Sequence, residues 1–240
     1  MKKSLLLLML ALLPVRAFAL NSRESNPSII DIPDARIKVH DESNIRFTIS
    51  NFAHFGNSGD MDDPDGGGVA PCGEYPAYSG KEYFFAGALW IGAEIDTVDQ
   101  NGDPMLDTLV SIGLDGWIGI SSEMYPSPGD DQSLWEERNI GDQEYAAVYV
   151  DTLTDPAYIP EDYYDQRLHI PLGVKITQHS MCWSSPGYDE TFVIDFILEN
   201  VWGRDLSNVW LGFYNDADIW HNSESPYGPE QGQRTIFAVL

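Results

Sequence analysis

Basic residues are scarce in this chain. Thirteen lysines and arginines stand against 38 aspartates and glutamates in 240 residues, which gives a formal net charge of −25. Nucleic acids and anionic lipids bind clustered cations, and the few cations of this sequence form no cluster. The composition therefore excludes a nucleic-acid-binding or anionic-lipid-binding module. The excess of carboxylates keeps a surface soluble, and it also offers oxygen ligands to divalent cations.

Catalytic motifs are missing as well. No GxSxG elbow, HExxH pair or phosphate-binding glycine loop with lysine occurs. Asp195 and Glu199 share one face of a predicted strand, but four strand residues span about 13 Å, too far for a retaining glycosidase. The histidines show no helical spacing and no neighbouring cysteine, so they are expected to be core or surface residues and not zinc ligands. They are His40, His54, His169, His179 and His221. We therefore expect the chain not to be an enzyme.

Only one long apolar run occurs, and it lies at the N-terminus. Residues 5–13 are uniformly apolar, follow Lys2 and Lys3, and precede Ala17-Phe18-Ala19, which matches a signal-peptidase cleavage site. This run is too short for a bilayer span, which takes about 20 residues. Residues 1–19 are therefore predicted to be a cleaved signal peptide, with no membrane insertion afterwards. The predicted location is the extracellular space or the cell surface, or the periplasm if a sorting signal is absent.

Cysteine is nearly absent, since Cys72 and Cys182 are the only two. In an exported chain they could form a disulfide that closes a loop of about 110 residues, worth about 4 to 5 kcal/mol in the chain-entropy model. The alternative is a pair of buried free thiols. The residues alone leave both open.

Helical periodicity is also lacking, and residues 132–138 are the only helix-compatible stretch. Short apolar segments between Gly- and Pro-rich turns predict strands instead. The main strand candidates are residues 44–51, 82–96, 106–113, 145–152, 170–183, 191–201 and 209–214. Seven Trp, twelve Tyr and ten Phe suit the space between two sheets.

Turn-rich links predict two antiparallel hairpins. Residues 84–95 are expected to pair with residues 106–113, and residues 191–201 with residues 206–214, because each link is too short for a parallel crossover. In the third of these strands, alternate apolar residues from Phe192 to Leu198 are expected to face the core.

Together these elements predict an all-β fold, an antiparallel β-sandwich of jelly-roll or immunoglobulin-like type with long acidic loops. Residues 20–35 lack apolar periodicity and are expected to be a flexible lead-in, and residues 36–240 are expected to form the sandwich domain. Residues 235–240 have the pattern of a strand without a polar tail, which predicts a product truncated at its C-terminus.

Five segments carry a resemblance in the same order. After residues 45–57 come SGKEYFFAGALWIGA, LVSIGLDGW, HIPLGVKITQHSMCWS and ETFVIDFILENVWGRDLSNVWLGFYNDADI. They resemble the N-terminal β-rich region of large uncharacterised exported bacterial proteins, many of which carry a C-terminal type IX secretion sorting domain. The resemblance implies a multidomain surface or secreted polypeptide and assigns no catalytic residue.

Exposed tryptophans stack on sugar rings, so a glycan platform was weighed against core packing. Trp202 follows a strand at a turn and Trp220 lies in a polar loop, which makes them the two candidates, whereas Trp90 is expected in the core. The resulting prediction is a structural or interaction module of a surface or secreted protein, with an unknown protein or glycan partner. The alternative is a glycan-binding module, and a glycoside hydrolase ranks below both.

Calcium is the one cofactor that the acidic residues of this sequence suit. Asn215, Asp216 and Asp218 end a predicted strand and offer oxygen ligands, and an acidic loop at residues 60–65 is a second candidate. A rigid strand end positions ligands better than a Gly-rich loop, which favours the first set. Solvated acidic turns are the alternative.

Overall fold

The computed structural model describes residues 34–57, 61–98, 101–114, 122–127, 133–159, 161 and 167–217. These residues form twelve β-strands and no helix. They therefore contain no helix that could span a membrane. The predicted signal peptide, nearly all of the lead-in and the C-terminal strand pattern lie outside the described residues, so these three remain predictions.

The strands form two antiparallel sheets, numbered here in chain order. The seven-stranded sheet contains β1 (Ile37–His40), β2 (Arg46–Ser50), β3 (His54–Gly56), β4 (Cys72–Glu74), β5 (Ala86–Val98), β6 (Pro104–Ile112) and β12 (Ser207–Asp216). The five-stranded sheet contains β7 (Tyr125–Pro126), β8 (Leu134–Glu137), β9 (Gln143–Val150), β10 (Val174–Cys182) and β11 (Phe192–Asn200). Every pairing is antiparallel, and the predicted all-β sandwich is confirmed.

The first sheet runs in the order β1-β2-β3-β5-β12, with β4 beside β2 and β6 beside β5. The second runs β11-β10-β9-β7, with β8 beside β9. Both sheets contribute to one hydrophobic core, in which Leu89 and Ile91 of β5 pack with Tyr149 and Ile176 of the second sheet. Side chains of a strand alternate between its two faces, so one row from each sheet fills the space between them.

The first predicted hairpin is confirmed. β5 and β6 pair from Trp90 with Ile112 to Val98 with Pro104. The apolar run in β5 and the turn-forming residues after it are local signals, and they are sufficient to identify the pair.

The second predicted hairpin is wrong. β11 pairs with β10, whereas β12 pairs with β5 in the other sheet, so residues 201–206 cross from one sheet to the other. Core-facing rings of both strands reach Phe55, since Phe196 lies 6.0 Å and Phe213 5.3 Å from it between ring centroids. A crossover of this length can bridge the spacing of about 10 Å between packed sheets. The crossover places the apolar faces of β11 and β12 on one core, as a hairpin within one sheet would also do. It differs in that β12 pairs with β5 in the first sheet.

Residues 132–138, which the sequence shows to be compatible with a helix, contain a strand instead. Leu134 to Glu137 form β8, which pairs with β9, and Leu134 enters the core. Helix propensity is a weak preference that tertiary packing overrides.

A buried carboxylate ties the two sheets together. Asp151 is fully buried at the end of β9 and accepts a hydrogen bond from Ser111 Oγ on β6 at 2.7 Å. It also accepts the backbone amides of Leu172, Gly173 and Val174 at 2.6, 3.1 and 2.8 Å. One side chain thus satisfies three buried amides of the segment that enters β10.

Candidate functional site

The side of the sandwich formed by β11 and β12 is open. In the described part of the chain, β12 pairs only with β5 and β11 pairs only with β10, so each ends its sheet. The pairing of β12 has a register shift between Ser207 and Trp210 and is regular from Trp210 to Asp216. The outer edge of this regular segment presents backbone N–H and C=O groups that no described strand pairs.

The side chains of this edge strand are apolar on both faces. Leu211 and Phe213 pair with the core residues Ile91 and Leu89, so they face the second sheet. Trp210 points the other way and lies over Gly92, whose added Cβ would meet the indole at 3.6 Å. Leu211, Phe213 and Trp210 are between 37% and 50% exposed. An edge strand that shows apolar groups on both faces is rare on a monomer surface.

β11 is the end strand of the second sheet on this same side of the sandwich. Its core-facing side chains pack against the main core but are only partly buried; they are Phe192, Ile194, Phe196 and Leu198. The predicted facing of this strand is therefore confirmed, although its burial is incomplete. We call β12 together with Phe196 and Leu198 the open edge, because the interior of the sandwich reaches solvent between them.

The usual protection of an edge strand is weak here. Natural edges carry lysine, proline or bulges that prevent pairing with another chain, yet β12 contains neither lysine nor proline and its only irregularity lies at its start. The charges beside it are acidic, with Asp216 at its end and Glu94 accepting a hydrogen bond from Asn208 Nδ2 at 2.7 Å. The open edge therefore suits an extended segment that brings apolar side chains and positive charge.

Trp202 occupies the position that the sequence predicts for a glycan candidate. It is half exposed at the turn after β11, and the Arg204 guanidinium lies 5.5 Å from its ring centroid. Its ring also packs against Gly173, where φ is +80° and an added Cβ would lie 2.5 Å from the indole. Trp220, the second candidate, lies outside the described residues. A platform formed by these two rings therefore remains a prediction.

The prediction that Trp90 is a core residue holds only in part, because Trp90 does not enter the main core but packs, partly buried, against a smaller cluster of Ala86, Ala88 and Leu114. Trp90 lies on the outer face of β5, where it stacks on Tyr214 with centroids 5.7 Å apart and donates from Nε1 to Leu114 O at 2.9 Å. Trp210 shares that face. The alternation of β5 carries the missed signal, because Leu89 and Ile91 face inward and the residue between them must face outward.

The structure describes only some of the residues predicted to bind calcium. Asn215 and Asp216 end β12 as predicted, but Asp218 lies outside the described residues, so this site remains a prediction. In the acidic loop, Asp63 is occupied by protein groups: it accepts the amides of Asp65 and Gly66, both at 3.0 Å, and pairs with Arg46 at 3.2 Å. The Asp63 carboxylate therefore stabilises the conformation of this loop.

Both cysteines are buried free thiols, so of the two alternatives left open by the sequence the disulfide is not formed. Cys72 lies in the first sheet, where its Sγ accepts the Asn57 amide at 3.0 Å. Cys182 ends β10 in the second sheet, with Sγ 3.7 Å from Gln143 Oε1, and burial raises the pKa of its thiol to about 11. The two residues occupy different sheets, each with its own contacts, which matches the alternative of buried thiols.

The predicted distribution of histidines holds for most of them. His40 and His54 are buried core residues. The side chain of His169 is 2% exposed, with Nδ1 3.2 Å from Glu123. His179 lies on the outer face of β10 among carboxylates. His221 lies outside the described residues.

The two acids weighed for glycoside hydrolysis lie on the exposed outer face of β11. Glu199 pairs with Lys175 at 2.6 Å, and Asp195 is the register partner of His179. An ordinary surface ion pair therefore accounts for Glu199.

No protein-family model, curated protein or solved structure matches this chain. Its function is therefore argued from the geometry of the open edge and from the sequence.

Proposed function

We propose that this chain is an exported structural or interaction module of a surface or secreted protein, and that it binds an extended segment of another polypeptide at the open edge. The observation that carries the proposal is β12, an edge strand with apolar side chains exposed on both faces. Export to the cell surface is supported by the signal-peptide pattern and by the resemblance to exported bacterial proteins.

A polypeptide strand fits this surface better than other ligands. The regular segment from Trp210 to Asp216 offers a row of alternating donors and acceptors, which an added strand satisfies at every second residue. Such a strand would also cover Leu211 and Phe213 on one face and Trp210 on the other. The acidic surroundings and the net charge of −25 favour a partner with basic residues beside the apolar segment.

Site-specific photo-cross-linking tests the proposal. A photoreactive benzoylphenylalanine in place of Leu211 is expected to cross-link, in the native host, to one short segment of one polypeptide. The same group in place of Val98 is the matched control, because Val98 is 59% exposed in a strand of the same sheet but lies away from the open edge. Mass spectrometry of the cross-linked peptide should show alternating apolar residues. Equal cross-linking from both positions, or none from position 211, would contradict the proposal.

A glycan-binding module is the second candidate, because Trp202 and Trp210 are both half exposed. Affinity electrophoresis in polysaccharide gels separates the two functions. We expect no retardation of the wild-type chain. Retardation that Trp202→Ala or Trp210→Ala abolishes, and that Tyr188→Ala at an exposed turn leaves intact, would replace the first proposal with the second.

A further inference from the structure

Two glutamates and a histidine meet on the outer face of the second sheet. Glu137 of β8 and Glu144 of β9 are register partners, and Glu144 is also the register partner of Met181 on β10. His179 lies two residues before Met181, and therefore on the same face. Three neighbouring strands thus place one ligand-forming side chain each at a single point, on the face of the second sheet opposite to the core-facing side chains of the open edge.

The nitrogen and oxygen atoms converge without closing on one another. His179 Nδ1 is 3.3 Å from Glu137 Oε2 and 4.0 Å from Glu144 Oε1, and the three ligand atoms all lie within 4.8 Å of one another. A charged N–H···O hydrogen bond is shorter, about 2.8 Å. The imidazole therefore stands off from both carboxylates, at separations that leave room for a small ion between them.

Glu144 is fixed so that one oxygen is directed at this point. The residue is 2% exposed, and its Oε2 accepts the amides of Asn139, Ile140 and Gly141 at 3.1, 2.9 and 3.4 Å. Its Oε1 lies 4.0 Å from His179 Nδ1.

Glu137 is held in a similar way. Its Oε1 accepts the indole N–H of Trp135 at 2.9 Å, and its Oε2 faces His179 while accepting a weak hydrogen bond from Asn139 Nδ2 at 3.3 Å. Each glutamate thus uses one oxygen for anchoring and directs the other to the common point. Anchored ligands of this type are oriented before an ion arrives.

We propose that Glu137, Glu144 and His179 form a binding site for a divalent transition-metal ion, with zinc as the ion that fits best. Zinc bonds of about 2.0 to 2.2 Å in tetrahedral geometry place ligand atoms about 3.3 to 3.6 Å apart. The 3.3 Å separation of His179 Nδ1 from Glu137 Oε2 already fits this range, whereas Glu144 Oε1 must move closer to His179 to complete the set. Calcium prefers six to eight oxygens and does not suit an imidazole. The side chains of Glu137 and His179 are 22% and 24% exposed, so the ion keeps an open position toward solvent.

Asp195 adds to the negative charge near the site. It is the register partner of His179 on β11 and belongs to the same outer face. Its carboxylate raises the local concentration of cations.

Zinc titration of the chelator-treated, untagged chain tests the site. Calorimetry should show one strong site per chain, and Co²⁺ should give visible absorption bands of a nitrogen–oxygen site with low coordination number. His179→Gln and Glu137→Gln should each weaken zinc binding by at least about tenfold. Zinc should also raise the melting temperature of the wild type, because it binds only the folded state.

Glu136→Gln is the matched control, because it removes the same charge one residue away, from an exposed side chain that pairs with Arg138. It should leave zinc affinity unchanged, and a hundredfold excess of magnesium or calcium should not displace zinc. Absence of strong zinc uptake by the wild type overturns the proposal without any variant. Equal affinities for Glu137→Gln and Glu136→Gln would show binding by general surface charge and overturn it too.

Discussion

Replacing Asp151 by alanine should lower the free energy of unfolding by about 4 kcal/mol, because the change leaves three buried amides without an acceptor. The carboxylate is fully buried and binds Ser111 as well as the amides of Leu172, Gly173 and Val174. Loss of each buried partner costs about 1 to 3 kcal/mol, and relaxation of the segment before β10 recovers part of it. Urea denaturation followed by tryptophan fluorescence measures the effect.

Two further variants separate the contributions of this side chain. Ser111→Ala removes one hydrogen bond from the same carboxylate and should cost only about 1 kcal/mol. Asp151→Asn keeps the shape but turns one acceptor into a donor, so it should fall between the other two. A cost below about 1 kcal/mol for Asp151→Ala would mean that water reaches these amides and that the two sheets are not joined here as described.

Acid should destabilise the fold well before its carboxylates titrate. Burial lowers the pKa of His40 to about 3 and that of His54 to about 4, so both are neutral in the folded state. In the unfolded chain they protonate near pH 6.5. The unfolded state therefore binds more protons below pH 6.5, and stability falls as the pH is lowered from 6.5 toward 4. Each histidine contributes a slope of up to about 1.4 kcal/mol per pH unit, or roughly 4 kcal/mol for both between pH 7 and 4.5.

His169 acts in the opposite sense. Burial lowers its pKa, but Glu123 and the Asp151 carbonyl outweigh burial, so the pKa is raised. Its contribution is present below the unfolded value of 6.5 and is lost as the pH rises through the folded value, which offsets part of the acid loss.

Unfolding free energies at pH 7.0, 5.5 and 4.5 test the acid prediction. His40→Phe is the informative variant, because His40 already packs edge-on against Tyr145 and Phe192 at 4.8 and 4.9 Å, so a phenyl ring suits the site. It should remove about half of the pH slope. A slope that this variant leaves unchanged would show that other groups cause the acid sensitivity.

The sequence is sufficient to predict the parts of the fold that depend on neighbouring residues. The β5–β6 hairpin follows from two apolar segments joined by a turn, and the core-facing row of β11 follows from alternation. The pairing of β12 with β5 does not follow from local patterns, because the two strands are far apart in the sequence. Local turn residues after β11 are compatible both with a hairpin and with a crossing between sheets, and the pairing of β12 with β5 distinguishes the two.

The candidate sites show the same division. The half-exposed turn position of Trp202 is predictable, whereas the exposure of Leu211 and Phe213 depends on which strand ends the sheet. Glu137, Glu144 and His179 show no metal-binding spacing along the chain. Only the register of β8, β9 and β10 brings them together, so no motif search finds them.

Hydrogen–deuterium exchange at single-amide resolution tests most directly the claim that β12 presents an open pairing edge. In an antiparallel strand, amides point alternately to either side. We expect the amides from Trp210 to Asp216 that point away from β5 to exchange at rates close to those of an unfolded peptide. Amides of β5, which is paired on both edges, should be protected by orders of magnitude. Uniform protection of β12 at the level of β5 in the isolated chain would show that the edge is already covered and would contradict the proposed function.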